Sequence, residues 1–170
     1  MQRPLFLILL MLFAAGFLSD CKVNYSFTGA DIPADARTFS VETFTVIAPL
    51  ADPTYGLTIT EELKELILGQ SRLDLVVAEG DLQFEGSVTG YNVAPAAIAA
   101  DEFAEINRLT ITIKVSYVNT FEEEKNFDRT FSRFADFPTT QDLQDVEAAL
   151  IEEINFQLTQ DIFDASLGSW

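Results

Sequence analysis

The sequence predicts an α+β two-layer sandwich. Two helices lie on one face of a mostly antiparallel sheet of four to five strands, in the order β-α-β-β-β-β-α. Three observations carry this expectation. Residues 82–90 and 108–119 alternate between apolar and polar side chains, the period of a half-buried strand. Residues 140–167 carry one apolar stripe at helical spacing. A second, shorter stretch of helical period follows the first strand and precedes the other four, so two helices can cover one face of a mostly antiparallel sheet.

The elements follow in chain order. Arg37 to Ile47 is rich in β-branched and aromatic residues (Phe39, Val41, Phe44, Val46, Ile47) and reads as one strand closed by Pro49 and Pro53. From Thr58 to Gly69, Ile59, Leu63, Leu66 and Ile67 recur at helical period, and Thr58 with Glu61 has capping-box spacing. Leu73 to Val77 is a brief apolar strand, with Glu79-Gly80-Asp81 as the turn after it. In the next strand Leu82, Phe84 and Val88 face one way, and Gly86 and Gly90 mark bulges or bends. Residues 94–107 form a long connection. Arg108 to Asn119 then places Leu109, Ile111, Ile113, Val115 and Tyr117 on one face, and Arg108, Thr110, Thr112, Lys114 and Ser116 on the other. Glu122-Glu123-Glu124 is a charged turn, and Asn126 to Phe134 is the last strand of a meander. The terminal helix starts after a Thr139 or Thr140 cap. Its stripe runs Leu143, Val146, Leu150, Ile154, Leu158, Ile162. It would be roughly 40 Å long at 1.5 Å per residue.

The amino terminus reads as an address. Arg3 is followed by Leu5 to Leu18 without a charge, a run of 14 residues. That is short of the roughly 20 that span a bilayer but fits a secretory signal peptide over residues 1–20. Leu18-Ser19-Asp20-Cys21 resembles the lipobox of bacterial lipoproteins, with Asp20 where the pattern has Gly, Ala or Ser. The expectation is that Cys21 is lipidated, anchors the protein in a membrane, and starts a tether over 21–36 leading to a single domain at 37–170. An acyl chain contributes roughly 0.8 kcal/mol per buried methylene, so two or three chains anchor firmly.

Composition excludes several functions. The chain holds 27 acids, 10 bases and no His. Such a surface repels nucleic acid, so no nucleic-acid partner is expected. The absence of His removes the commonest general base and metal ligand. A single Cys allows no intrachain disulfide and no thiolate cluster. There is no phosphate-binding glycine loop, no nucleophile elbow and no Ca²⁺-loop spacing. Glu122 to Glu124, Glu61 with Glu62, and Glu152 with Glu153 read as solvated or dipole-facing charges. No enzymatic activity, cofactor or metal is expected. A carboxylate pair about 5–9 Å apart in a concave site would be needed to revive a hydrolase.

One surface stands out. Arg108 and Lys114 lie on the outward side of their strand. On the next, Phe127, Arg129, Phe131 and Arg133 share one side. If that side is free of helices, the residues form a basic and aromatic face suited to an amphipathic anion. Guanidinium groups would pair with phosphate and rings would pack on acyl chains. The other reading makes Phe127 and Phe131 core, with the Arg residues at its edge.

Several segments, in order, resemble the LptE family of lipopolysaccharide-assembly lipoproteins, Bacteroidetes type. They are Cys21-Lys22-Val23-Asn24-Tyr25-Ser26-Phe27-Thr28-Gly29-Ala30, then Gly80 to Gly86 with Thr89-Gly90-Tyr91, and Asn107 to Ile111. Phe131 to Phe137, and the terminal helix from Glu152-Glu153-Ile154 to Asp161-Ile162-Phe163, complete the set. The resemblance implies two helices on one side of a sheet. It also implies residence at the outer membrane facing the periplasm. The implied partners are an LptD-like β-barrel, in which the protein acts as plug and assembly aid, and lipopolysaccharide through its lipid A. The alternative is a free-standing periplasmic lipoprotein that binds a small amphiphile or envelope component in a Phe-lined pocket between sheet and helices.

Overall fold

The computed structural model describes residues 32–96 and 105–168. Cys21, the signal peptide, most of the tether and residues 97–104 of the long connection lie outside the described residues. The strands are β1 (Thr38–Val41), β2 (Thr45–Val46), β3 (Asp74–Leu75), β4 (Leu82–Ala96), β5 (Ile106–Asn119) and β6 (Phe127–Pro138). The helices are α1 (Tyr55–Gln70), between β2 and β3, and α2 (Leu143–Leu167), after β6. The fold is therefore α+β, with one more strand than expected and a mixed sheet.

The sheet order is β3-β1-β4-β5-β6, with β2 continuing β1 along β4. The β4–β5 and β5–β6 pairs are the antiparallel meander that the alternation predicts. The other pairs, β1–β3, β1–β4 and β2–β4, are parallel. These short strands come before the meander and are joined through α1, a crossover that brings the chain back in the same direction.

The expected strand 37–47 is broken at Glu42–Phe44. Phe44 sends its ring into the core over Gly86, where a Cβ would stand 2.6 Å from the ring. Its N–H leaves the ladder and donates to Thr60 Oγ1 at 2.9 Å. Gly86 is thus the seat of a ring. The bulge lies two residues on, between Val88 and Gly90.

The α1 helix starts one turn earlier than the capping-box spacing suggests. Its N-cap is Thr54, which makes no side-chain cap bond. Asp52 shapes the entry instead, accepting from the N–H and hydroxyl of Thr54. Gly56 permits the early start, because a Cβ there would lie 2.1 Å from the Phe44 carbonyl oxygen. Neither Thr139 nor Thr140 caps α2, whose N-cap is Asp142. Thr139 donates through both its N–H and its hydroxyl to the Glu105 carbonyl, tying the end of β6 to the start of β5.

The core lies between the sheet and the helices. Leu82, Phe84 and Val88 of β4, at even positions, and Leu109, Ile111, Ile113 and Val115 of β5, at odd positions, face it as the alternation predicts, each fully buried. The stripe Leu150, Ile154, Leu158, Ile162 packs onto them, with Leu143 and Val146 at its rim. At about 25 cal/mol per Å² of apolar surface removed from water, this layer is the main stabilising term.

Candidate functional site

The proposed basic and aromatic face is divided by the sheet. Directly opposed residues of an antiparallel pair project to the same side. Register pairs Ile113 with Phe131, Ile111 with Arg133, Val115 with Arg129 and Tyr117 with Phe127. The odd residues of β6 therefore lie on the helix side, together with the core residues of β5. Arg108 and Lys114 lie on the opposite, helix-free side, across from Asp136 and Thr130. A single face holding all six residues does not form. Phe131 is buried, and Phe127 is half-buried against the core. The signal was present in the sequence. Among apolar residues the odd series of β6 holds Phe127, Phe131, Ala135 and Phe137, while the even series holds Phe134 and the terminal Pro138.

Most of these cations already have carboxylate partners. Arg108 makes a two-pronged pair with Asp136, at 2.7 and 2.8 Å, and stacks over Phe134 at 3.6 Å. The pair raises the Arg108 pKa and lowers that of Asp136, chiefly through the hydrogen bonds between them. Arg133 makes a similar pair with Asp161 of α2, at 2.5 and 2.6 Å, which clips the helix to the edge strand. Lys114 lies 3.8 Å from Asp128. Arg129 is exposed, stacks on Phe127 at 5.1 Å, and has no ion pair among the described residues. The helix-free face is otherwise rich in hydroxyls, with Ser87, Thr110, Thr112, Ser116, Thr130 and Ser132. A shallow depression on it is lined by Glu42, Glu85, Ser87, Lys114 and Asp128.

The helix layer carries a polar group that the sequence reading missed. Asn155 of α2 is fully buried beside the apolar stripe. Its carbonyl accepts from the Tyr55 hydroxyl of α1, and its amide donates to Glu62 at 3.1 Å. Burial raises the Tyr55 pKa, with the Glu62 charge adding to the effect. Burial also raises the Glu62 pKa. The Asn155 N–H opposes that rise, and the charges of Glu65 and Glu152 add to it. Nearby, the Tyr91 hydroxyl donates to Glu147. Asn155 and Thr159, four apart and next to the stripe, widen the buried face of α2 to two columns; that spacing was the available signal.

Among the described residues, no group of three or more acidic or thiol side chains is placed to hold a metal ion. No helix there is long and apolar enough to cross a membrane.

The fold has known counterparts. It resembles the hypothetical protein CT253 from Chlamydia trachomatis at TM-score 0.52 and 5% identity, covering 77% of this chain and 98% of that one. It resembles protein XCC0632 from Xanthomonas campestris at TM-score 0.52 and 10% identity, covering 79% and 84%. At these identities the likeness is one of fold. A minor lipoprotein from Acinetobacter baumannii superposes more loosely, at TM-score 0.47 and 15% identity, covering 78% and 97%. No curated protein sequence matches the chain significantly. The sequence does match a family model described as lipopolysaccharide-assembly, LptE, over residues 36–166, which takes in every strand and nearly all of both helices. The chain therefore belongs to the LptE family of lipopolysaccharide-assembly proteins.

Proposed function

We propose that this protein is a non-catalytic outer-membrane lipoprotein. In this reading it is anchored through Cys21 and faces the periplasm. It partners an LptD-like β-barrel as plug and assembly factor in lipopolysaccharide transport and insertion. The observation that carries the reading is the family match across the whole folded domain. The lipobox-like Leu18-Ser19-Asp20-Cys21 supports the anchor.

The charge arrangement favours docking over tight anion capture. Arg108 and Arg133 are each held by a carboxylate, and the basic residues are split between two sides of the sheet. Direct contact with lipid A would fall to Arg129 beside Phe127, or to Lys114 on the other side. The alternative, a free-standing binder of a small amphiphile, calls for a Phe-lined cavity between sheet and helices. The described grooves open at the surface and are lined differently.

Depletion in the producing cell tests the role. Newly made lipopolysaccharide should fail to reach the cell surface and accumulate behind the outer membrane. Unchanged surface delivery after complete depletion would refute the proposal.

A further inference from the structure

The outward sides of the helices hold a groove of about 800 Å³ between α1 and α2. Glu62, Glu65 and Leu66 line it from α1, and Glu152, Glu153 and Phe156 from α2. Phe156 is 68% exposed, the most exposed aromatic ring among the described residues. In a concave site the ring, with the neighbouring Leu66, supplies apolar surface that a partner side chain can cover. No Lys or Arg lines the groove. The four glutamates have no ion-pair partner among the described residues, whereas Lys64, Arg108, Lys114, Lys125 and Arg133 pair with acids elsewhere. The Tyr55–Asn155–Glu62 chain, whose last member lines the groove, fixes the two helices to each other, so the walls are pre-organised.

We propose that this interhelical groove is a docking site for a basic segment of a partner protein. Lys or Arg side chains of that segment pair with Glu65, Glu152 and Glu153, and an apolar side chain covers Phe156 and Leu66. Charge complementarity selects this occupant. An anionic headgroup such as lipid A is repelled by the four carboxylates, so the groove is a different surface from any lipopolysaccharide contact. A small metal ion is disfavoured, because the carboxylates are spread along the groove and form no cage. A segment with spaced charges matches that spread. The inference goes beyond the barrel partnership and holds whichever protein carries the segment.

The test uses the full chain in detergent and a labelled amphipathic peptide of Lys and Leu, followed by fluorescence anisotropy. The triple variant Glu65→Lys, Glu152→Lys, Glu153→Lys should weaken binding by about 10-fold or more, since three attractive pairs become repulsive ones. Phe156→Ser leaves the charge unchanged and should also weaken binding several-fold. A control of equal charge, Glu42→Lys, Glu85→Lys, Glu105→Lys, should shift it by less than about 2-fold once salt screens the general field. If the lysine triple variant fails to melt cooperatively, the Gln triple variant replaces it. Equal loss in the control, or no effect of Phe156→Ser, overturns the proposal by showing attraction to net charge alone. A concentration-dependent dimer that the groove variants dissolve would also overturn it, because the occupant would then be a second copy.

Discussion

Glu62 shows how one buried contact shapes pH behaviour. Its carboxyl sits half-buried between the helices, and burial raises its pKa. The fold thus favours the protonated form, and the charge costs stability at neutral pH. That cost fades as pH falls from the raised value toward the ordinary Glu value of 4.5, and it is gone below it. Glu62→Gln keeps an oxygen for the Asn155 amide. It should raise the melting temperature at pH 7 and leave it unchanged near pH 3; a lower melting temperature at pH 7 would contradict the account. Asp81 works in the opposite direction. It accepts from the Arg37 and Thr38 N–H groups at 2.8 and 3.0 Å and from the Thr38 hydroxyl, pinning the start of β1 to β4. Those bonds, the backbone ones first, lower its pKa. It therefore contributes stability above its ordinary value of 3.8, and the contribution is lost as pH falls through the lowered value. Asp81→Asn should cost about 1 kcal/mol at pH 7, a modest figure because solvent screens the site, and should flatten the acid limb of the stability curve. Neither role was legible in the sequence. Both depend on partners 40 or more residues away, which no local period reports.

Among the elements, those with a long regular period were legible and those shaped by contact with a neighbour were not. The alternation of β5 and the stripe of α2 place their buried faces correctly, because burial on one side writes a repeating pattern. Ile154 is fully buried on that stripe, so Ile154→Ala should cost about 2–5 kcal/mol in denaturant unfolding. The break between β1 and β2 left no such pattern. It comes from the Phe44 ring lying over Gly86. Gly86→Ala should therefore destabilise by about 1–3 kcal/mol, with little change in far-UV circular dichroism. A neutral substitution there would mean the ring is not seated as described. The face of β6 was readable only in part. Its odd positions mix Phe127 and Phe131 with Arg129 and Arg133, as an edge strand does when its core side runs out from under the helix. The Arg133–Asp161 pair closes that margin.

At the scale of the molecule, the two-layer α+β class and the LptE membership were both legible, the first from periodicity and the second from ordered short segments. The parallel half of the sheet was not. Pairings such as Phe39 with Leu82 join strands far apart in sequence, and their direction is set by how α1 returns the chain. The candidate site was legible as an inventory of basic and aromatic residues but not as a surface, because one position's shift in face separates the cations. The resulting body presents a hydroxyl-rich sheet face on one side and acidic helices on the other. Both suit contact with protein more than enclosure of a ligand. The most direct measurement is affinity purification of the tagged, full-length protein from detergent-solubilised envelopes, followed by identification of what accompanies it. The account predicts a large LptD-like β-barrel in stoichiometric amount, lost when Cys21→Ala releases the protein from the membrane before assembly. Recovery of the lipoprotein alone, with the barrel intact in the same extract, would contradict it.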